Sequence, residues 1–174
     1  MYDFKADVAV LMNITPDHLD RYEYKFENYV NSKFRILQNQ TSADFFIYCD
    51  DDAVIAQTLQ EKMDMACRLP FSLNHPVTQG GWLKGESLMV SLGNQSLSVA
   101  VDQLPIKGRH NQYNVMAASL AASVLQIHPQ LIQDGLFSFK GVEHRLEPAG
   151  VVRGVTYIND SKATNVNSTW YALE

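Results

Sequence analysis

Residues 7–37 read DVAVLMNITPDHLDRYEYKFENYVNSKFRIL and predict a strand, a polar loop and a helix in that order. The apolar run 8–12 is typical of a buried strand. Thr15 followed by Pro16 indicates a helix start, with a capping hydroxyl and a proline at the first helical position. His18 is therefore expected just beyond the carboxyl end of a strand, where open α/β sheets bind their ligands.

The predicted helix carries one lysine among apolar residues. Its apolar stripe, with spacings of three or four residues, consists of Phe26, Tyr29, Val30 and Leu37, and Lys33 falls near the centre. A lysine in that position must extend its ammonium to solvent, pair with an anion or be covalently modified. Two interpretations stay open. Either the stem packs while the ammonium reaches the surface, or the lysine is functional in the site at the strand end.

Composition narrows the class of protein. The chain has 174 residues, enough for one domain with a core, and a net charge of −5 without a run of Lys or Arg. This argues against nucleic acid as a partner. Cys49 and Cys67 show no metal-ligand spacing and predict buried, reduced thiols in a cytoplasmic protein. The chain has no apolar run long enough for a transmembrane helix and no secretory signal, so no membrane association is expected.

The next part of the chain continues an α/β pattern. Residues 44–49 and 66–71 predict further buried strands, with a helix at 53–63 between them. Three aspartates at 50–52 either hold a metal or cap that helix. Alternating apolar residues in 83–101 predict an antiparallel meander that forms a small side sheet. The fold class is therefore α/β, with a mostly parallel sheet and flanking helices.

The segment 105–114 opens a predicted long helix. Gly108 and Asn111 suit a tight turn and an N-cap, which places Asn114 near the first turn. Alanines and serines in 117–123 predict close packing of this helix on a neighbouring sheet or helix. The Asn114 amide is either structural or offers a donor and an acceptor to a planar base, and the sequence leaves both interpretations open.

Polar residues are dense near the carboxyl end of the chain. After a predicted helix at 129–137, residues 151–158 indicate a hairpin with Arg153 and Gly154 near its turn. The residues that follow, 159–165, are either a functional cluster or a polar linker. Because the last residues, 168–174, look like an uncapped helix, the chain is expected to be a piece of a longer protein.

Four segments together resemble the Mur ligases, ATP-dependent amide-forming enzymes of peptidoglycan synthesis. They are NITPDHLDRY at 13–22, GRHNQYN at 108–114, GVEHRLE at 141–147 and INDSKATN at 158–165. The last segment and the Asp-Arg-Tyr end of the first are similar to the branch that adds D-glutamate to UDP-N-acetylmuramoyl-L-alanine. The resemblance spans nearly the whole chain.

The resemblance implies a P-loop-like fold truncated at both ends. Residues 1–158 would form the later part of the central ATP-binding domain, without its phosphate loop. Residues 159–174 would form the linker and the start of a C-terminal Rossmann-like domain. The isolated chain is then expected to be inactive, and the uncovered sheet edge is expected to favour self-association.

The resemblance also assigns roles to single residues. His18 matches a magnesium-site histidine, and Lys33 matches a lysine that the family carbamylates so that it helps hold the same Mg²⁺. Both then serve catalysis. Asn111 and Asn114 match residues at the adenine of ATP.

The remaining matches lie in the last two segments. Arg145 matches a residue near phosphate, and Asp160 matches a residue at the ribose. Lys162, a third catalytic candidate, and Thr164 match residues near phosphate and the D-glutamate carboxylates. The implied reaction proceeds through an acyl phosphate.

One alternative from a different class of enzyme uses other residues. His18, Asp20, His110 and His144 would form the site of a metal-dependent hydrolase. Their types suit a metal, but they show no His-x-His or His-Glu-x-x-His spacing.

Overall fold

A computed structural model describes residues 3–61, 66–164 and 169. Within these residues the chain forms β1 (Val8–Leu11), α1 (Phe26–Phe34), β2 (Phe45–Cys49), α2 (Ala53–Glu61), β3 (Cys67–Ser72), β4 (Gly80–Lys84), β5 (Ser87–Leu92), β6 (Gln95–Ala100), α3 (Arg109–Val124), α4 (Pro129–Ser138), β7 (Glu147–Val152) and β8 (Val155–Asn159). Short 3-10 turns lie at Leu19–Tyr22, Arg35–Leu37 and Val101–Gln103. No helix among these residues is long and apolar enough to cross a membrane.

Six strands form one sheet in the order β1 to β6, and the predicted α/β class is confirmed. The pairings from β1 to β4 are parallel, and β4, β5 and β6 pair antiparallel. The predicted side sheet at 83–101 is wrong in its placement, because Phe71 pairs with Gly81 and joins the meander to the parallel strands. The separate two-stranded sheet is β7–β8, the predicted hairpin.

The two faces of this sheet are covered by different helices. Phe46 pairs with Arg68 and Cys49 pairs with Phe71, so strand alternation puts these two pairs on opposite faces. Helix α2 lines a cavity together with Arg68 on the first face. Helix α3 covers the second face, where the Tyr113 ring contacts Phe71 at a centroid distance of 6.1 Å. The core therefore lies on both sides of β2.

Helix α3 approaches the sheet closely, as its small residues predict. Ala117 and Ser119 are buried. Gly81 faces the same helix, and a Cβ atom at that position would lie 3.2 Å from Met116 Cβ. The absence of a side chain at Gly81 thus lets α3 lie directly against the strands whose carboxyl ends carry the candidate site.

Several sequence predictions need correction. Thr15 and Pro16 do not start a helix: residues 12–18 are irregular and α1 begins at Phe26. Cys67 is exposed rather than buried. The end of the helix predicted at 53–63 and, apart from Thr169, the stretch predicted at 168–174 lie outside the described residues.

The other cysteine fits its prediction. Cys49 is buried at the end of β2, and burial raises the pKa of its thiol to about 11. A thiol with such a pKa carries almost no thiolate at neutral pH and is a poor nucleophile.

Candidate functional site

Loops from three neighbouring parallel strands meet at one edge of the sheet. They follow β1, β2 and β3 and comprise residues 12–18, 50–52 and 73–75. The carboxyl ends of parallel strands are the usual ligand-binding edge of an open α/β sheet. This edge is therefore the candidate site.

His18 lies in the first of these loops and is exposed. Its backbone is left-handed, with φ of 49°, and its amide donates to Asp17 Oδ1 over 2.9 Å. The ring Nε2 lies 3.6 Å from Asp17 Oδ2. The predicted position beyond β1 is thus correct, although the local structure is a loop that leads into a 3-10 turn.

Lys33 does not lie on the buried stripe of α1. The buried residues of that helix are Tyr29, Val30 and Phe34, whereas Lys33 is exposed. Its Nζ lies 5.1 Å from the centroid of the Tyr29 ring, a cation–π contact. The predicted core position is wrong, and the geometry matches the interpretation in which the ammonium reaches the surface.

The aspartate run at 50–52 joins several loops. Asp52 caps α2, because its Oδ1 accepts from Val54 N and Ile55 N at 3.0 and 2.9 Å, which confirms the capping interpretation. Its Oδ2 also accepts from the amide of Ile14 over 2.9 Å. One carboxylate therefore holds both the start of α2 and the loop that carries His18.

Asp51 links the ends of β2 and β3 to α3. Its side chain is only 5% exposed and accepts from Ser72 Oγ, Leu73 N and the Tyr113 hydroxyl at 2.6–2.7 Å. Burial opposes its ionisation, but these hydrogen bonds outweigh that effect and hold the pKa of the carboxyl below its ordinary value of 3.8. His75 Nε2 lies 3.7 Å from Asp51 Oδ1. The carboxylate thus fastens loop 73–75 and α3 to the end of β2.

Helix α3 presents two amides at its start. Its N-cap is Gly108, with φ of 93° and no side-chain cap, so the prediction of Asn111 as the N-cap is wrong. Asn111 Nδ2 donates to Lys107 O over 2.7 Å, and Asn114 Nδ2 lies 3.3 Å from Asn111 Oδ1. Asn114 is exposed. The two predicted base-binding amides therefore lie side by side.

A second cluster forms where residues 141–147 meet the end of β8. Leu146 N donates to Asp160 Oδ1 over 3.2 Å, and Lys162 N donates to His144 O, also over 3.2 Å. Arg145 lies between these two contacts along the chain. The structure therefore brings together the segments that carry Arg145, Asp160 and Lys162.

The side chains of this cluster are more accessible than Asp51. Asn159 Nδ2 contacts His144 Nδ1 at 2.8 Å and donates to Glu147 Oε2 at 3.0 Å. Arg145, Lys162 and Thr164 are exposed, and Asp160 is half-buried. The two clusters thus differ strongly in burial.

The hydrolase alternative finds no support in the geometry. In the part of the chain that the structure describes, no three His, Cys, Asp or Glu side chains form a group that could hold a metal. The set His18, Asp20, His110 and His144 therefore does not converge. His144 instead contacts Asn159 at the end of β8.

The connection between Asp51 and Tyr113 was missed by sequence reasoning. The two residues are 62 positions apart, and the aspartate run was interpreted only as a cap or a metal site. One signal was available: a tyrosine between the two asparagines of the 108–114 segment has a hydroxyl that needs a partner when the ring packs on a sheet.

Comparison with known proteins gives one consistent result. A family model described as the Mur ligase middle domain matches residues 1–122. The UDP-N-acetylmuramoylalanine–D-glutamate ligase of Christiangramia forsetii is 48% identical over 98% of this chain and 38% of its own length. The ligase of the same name from Bacteroides fragilis is 47% identical over 100% of this chain and 39% of its own length. The chain thus spans less than two-fifths of these relatives.

Solved structures show the same fold. MurF from Acinetobacter baumannii superposes with a TM-score of 0.69 at 21% identity, over 96% of this chain and 36% of that one. MurF from Thermotoga maritima in complex with ADP superposes with a TM-score of 0.67 at 19% identity, over 97% of this chain and 38% of that one.

Proposed function

The chain belongs to the Mur ligase family, and we propose that it forms most of the ATP-binding middle domain of a D-glutamate-adding ligase. The observation that supports this proposal most strongly is the 48% identity of the chain, over 98% of its length, to a UDP-N-acetylmuramoylalanine–D-glutamate ligase. The activity is proposed for a protein that also supplies the other ligase segments. In it, residues 1–158 would belong to the middle domain and 159–174 to the linker and the start of the C-terminal domain. The proposed location is the cytoplasm.

The proposed nucleotide site combines residues at the start of α3 with residues of the cluster at 141–147 and the end of β8. Asn111 and Asn114 lie at the start of α3 with neighbouring amides, which can pair with the donors and acceptors of adenine. Asp160 would bind the ribose, and Arg145, whose guanidinium is always positively charged, would bind phosphate. The exposure of Asn114 and Arg145 leaves both accessible to a nucleotide.

The proposed reaction is acyl activation followed by amide formation. A carboxylate oxygen of UDP-N-acetylmuramoyl-L-alanine attacks the γ-phosphorus of ATP and displaces ADP. The amine of D-glutamate then attacks the acyl carbon, loses a proton and expels phosphate. Lys162 and Thr164 would orient the D-glutamate carboxylates, and the charge of Lys162 would offset negative charge on the phosphoryl oxygens.

Magnesium does not fit the described residues by themselves. Mg²⁺ prefers oxygen ligands, chiefly carboxylates and water. In residues 3–61 and 66–164 no three His, Cys, Asp or Glu side chains converge on one point, and an ammonium on Lys33 cannot bind a cation. A carbamate on Lys33 would supply oxygen ligands of the type that Mg²⁺ prefers, and the proposal includes it.

A chimera tests the proposed activity directly. Residues 1–174 would replace the 48% identical segment of the Christiangramia forsetii ligase. The chimera should release phosphate from ATP only when both UDP-N-acetylmuramoyl-L-alanine and D-glutamate are present, and the isolated chain should release none. A folded chimera that lacks this dual dependence would refute the proposal.

The role of Asn114 is tested by Asn114→Ala in the same chimera. The KM for ATP should rise by about tenfold, as expected for lost hydrogen bonds to the base, with a smaller effect on kcat. Because Asn114 is exposed, the thermal stability should change little. An unchanged KM would show that the amide is only structural.

The role of Lys33 is tested by Lys33→Ala. The variant chimera should lose nearly all activity, and added short-chain carboxylic acids should partly restore it by standing in for the carbamate. Near-normal activity would show that Lys33 only packs on Tyr29, as the cation–π contact alone would allow.

A further inference from the structure

The start of α3 is held to the rest of the fold by side chains on its buried side. The Tyr113 hydroxyl donates to Asp51 Oδ2 over 2.7 Å, and its ring packs on Phe71. We propose that Asp51 and Tyr113 are positioning residues of the nucleotide site, whose hydrogen bond fixes the orientation in which Asn111 and Asn114 meet the base. This inference rests on the proposed function, because it assumes that the two amides bind a nucleotide.

Helical geometry links the hydroxyl to the amides. Consecutive residues of an α-helix are turned by about 100°, so Tyr113 points inward while its neighbour Asn114 points to solvent. A rotation of α3 about its axis would move both side chains together. Fixing the Tyr113 hydroxyl therefore also fixes the direction of the Asn114 amide.

Asp51 is a rigid anchor for this hydrogen bond. Its side chain is 5% exposed and is already held by Ser72 Oγ at 2.6 Å and by Leu73 N at 2.7 Å. These hydrogen bonds satisfy the buried carboxylate and hold it in one orientation. The anchor thus ties α3 to the ends of β2 and β3.

A second tie lies one helical turn earlier. Arg109 Nη2 donates to Asn74 Oδ1 over 2.5 Å, and the guanidinium carbon lies 5.8 Å from the centroid of the Tyr113 ring. Two ties at positions i and i+4 restrict the tilt of the helix start as well as its rotation. No side-chain cap fastens this end, because the N-cap is Gly108, so the two tertiary ties hold the helix start in place.

The test compares two variants of the same helix. Tyr113→Phe removes the hydroxyl but keeps the ring on Phe71. Ser123→Ala is the matched control, because Ser123 Oγ donates to Ser119 O over 2.8 Å at the far end of α3. Adenosine binding to the 174-residue chain would be followed by NMR titration, with thermal unfolding measured in parallel.

We expect Tyr113→Phe to bind adenosine about three- to tenfold more weakly than the wild type, the range that corresponds to one lost hydrogen bond. Ser123→Ala should bind like the wild type, because its hydroxyl bonds to Ser119 O at the far end of α3. Asp51→Asn keeps an acceptor for the hydroxyl and should retain affinity between those of the wild type and Tyr113→Phe. Equal affinity of Tyr113→Phe and the wild type would overturn the inference.

A second measurement decides the case in which the wild-type chain binds no adenosine. That result would count against the proposed nucleotide site itself. Amide hydrogen exchange of residues 111–115 would then report on the helix start alone. Faster exchange in Tyr113→Phe, with no change there in Ser123→Ala, would support the positioning role, and equal exchange would refute it.

Discussion

The start of α3 and the loop at 141–147 carry similar polar side chains but are held in opposite ways. The first is fastened through Asp51, a buried carboxylate that connects segments far apart in the sequence. The second is held by contacts with the nearby end of β8, such as that between His144 and Asn159, 15 positions apart, and its side chains are largely exposed. The proposed base-binding half is thus fastened by a buried carboxylate, whereas the proposed phosphate and ribose half is held by contacts between largely exposed side chains.

The largest expected effect comes from removing the anchor of each region. Asp51→Ala leaves three donors without a partner and should lower the free energy of unfolding by about 3 kcal/mol. Glu147→Ala removes a 40% exposed acceptor and should cost about 1 kcal/mol or less. Urea unfolding of the two variants measures both values. Equal costs would contradict the difference between the regions.

A smaller effect concerns acid pH. Because the pKa of Asp51 lies below its ordinary value of 3.8 in the folded chain, the ionised carboxylate stabilises the fold above that pH and loses this effect as the pH falls. Asp51→Asn should lower the free energy of unfolding by about 1.5 kcal/mol at neutral pH, and this loss should shrink below pH 3.8.

Urea unfolding across a pH series measures this deficit. Tyr113 does not interfere, since burial and the hydrogen bond to Asp51 raise its pKa to about 12. Ser123→Ala removes no charge, so its deficit should stay constant with pH. A deficit of Asp51→Asn that also stays constant would show that ionisation of Asp51 does not stabilise the fold.

The smallest expected effect is that of a valine-to-threonine substitution on the hairpin, with the same substitution on α3 for comparison. Val155 is 55% exposed on the hairpin, and Val115 is 3% exposed on α3. Val155→Thr should change the free energy of unfolding by less than about 0.5 kcal/mol. Val115→Thr should lower it by about 1 to 3 kcal/mol, because a hydroxyl replaces a buried methyl group. Similar costs in calorimetry would show that the hairpin packs against another part of the chain.

Self-association remains a prediction that this comparison can sharpen. Strand β1 lies at one end of the order of strands that the structure describes, and the hairpin adds exposed apolar residues such as Val151 and Tyr157. Sedimentation velocity would show whether the chain associates. If Val155→Thr lowers the association and leaves stability unchanged, the hairpin rather than β1 forms the contact.

Features that depend on residues close together in the sequence could be predicted from the sequence alone. The strand–helix alternation, the hairpin turn at Arg153 and Gly154 and the capping role of Asp52 each depend on residues a few positions apart. Asp52 Oδ1, for example, accepts from the amides of the residues two and three positions later, Val54 and Ile55. The positions of the proposed adenine-site amides also follow from their place at the start of one helix.

Tertiary structure alone decided which side of α1 is buried and what holds α3. Within α1 the fold buries Tyr29, Val30 and Phe34, whereas Lys33 is exposed and its Nζ lies 5.1 Å from the centroid of the Tyr29 ring. Helical spacing alone could not show how far the fold covers this side of the helix. The hydrogen bond between Asp51 and Tyr113 spans 62 positions and exists only because α3 packs over the ends of β2 and β3. Such a contact depends on the relative placement of whole elements, which local sequence patterns do not contain.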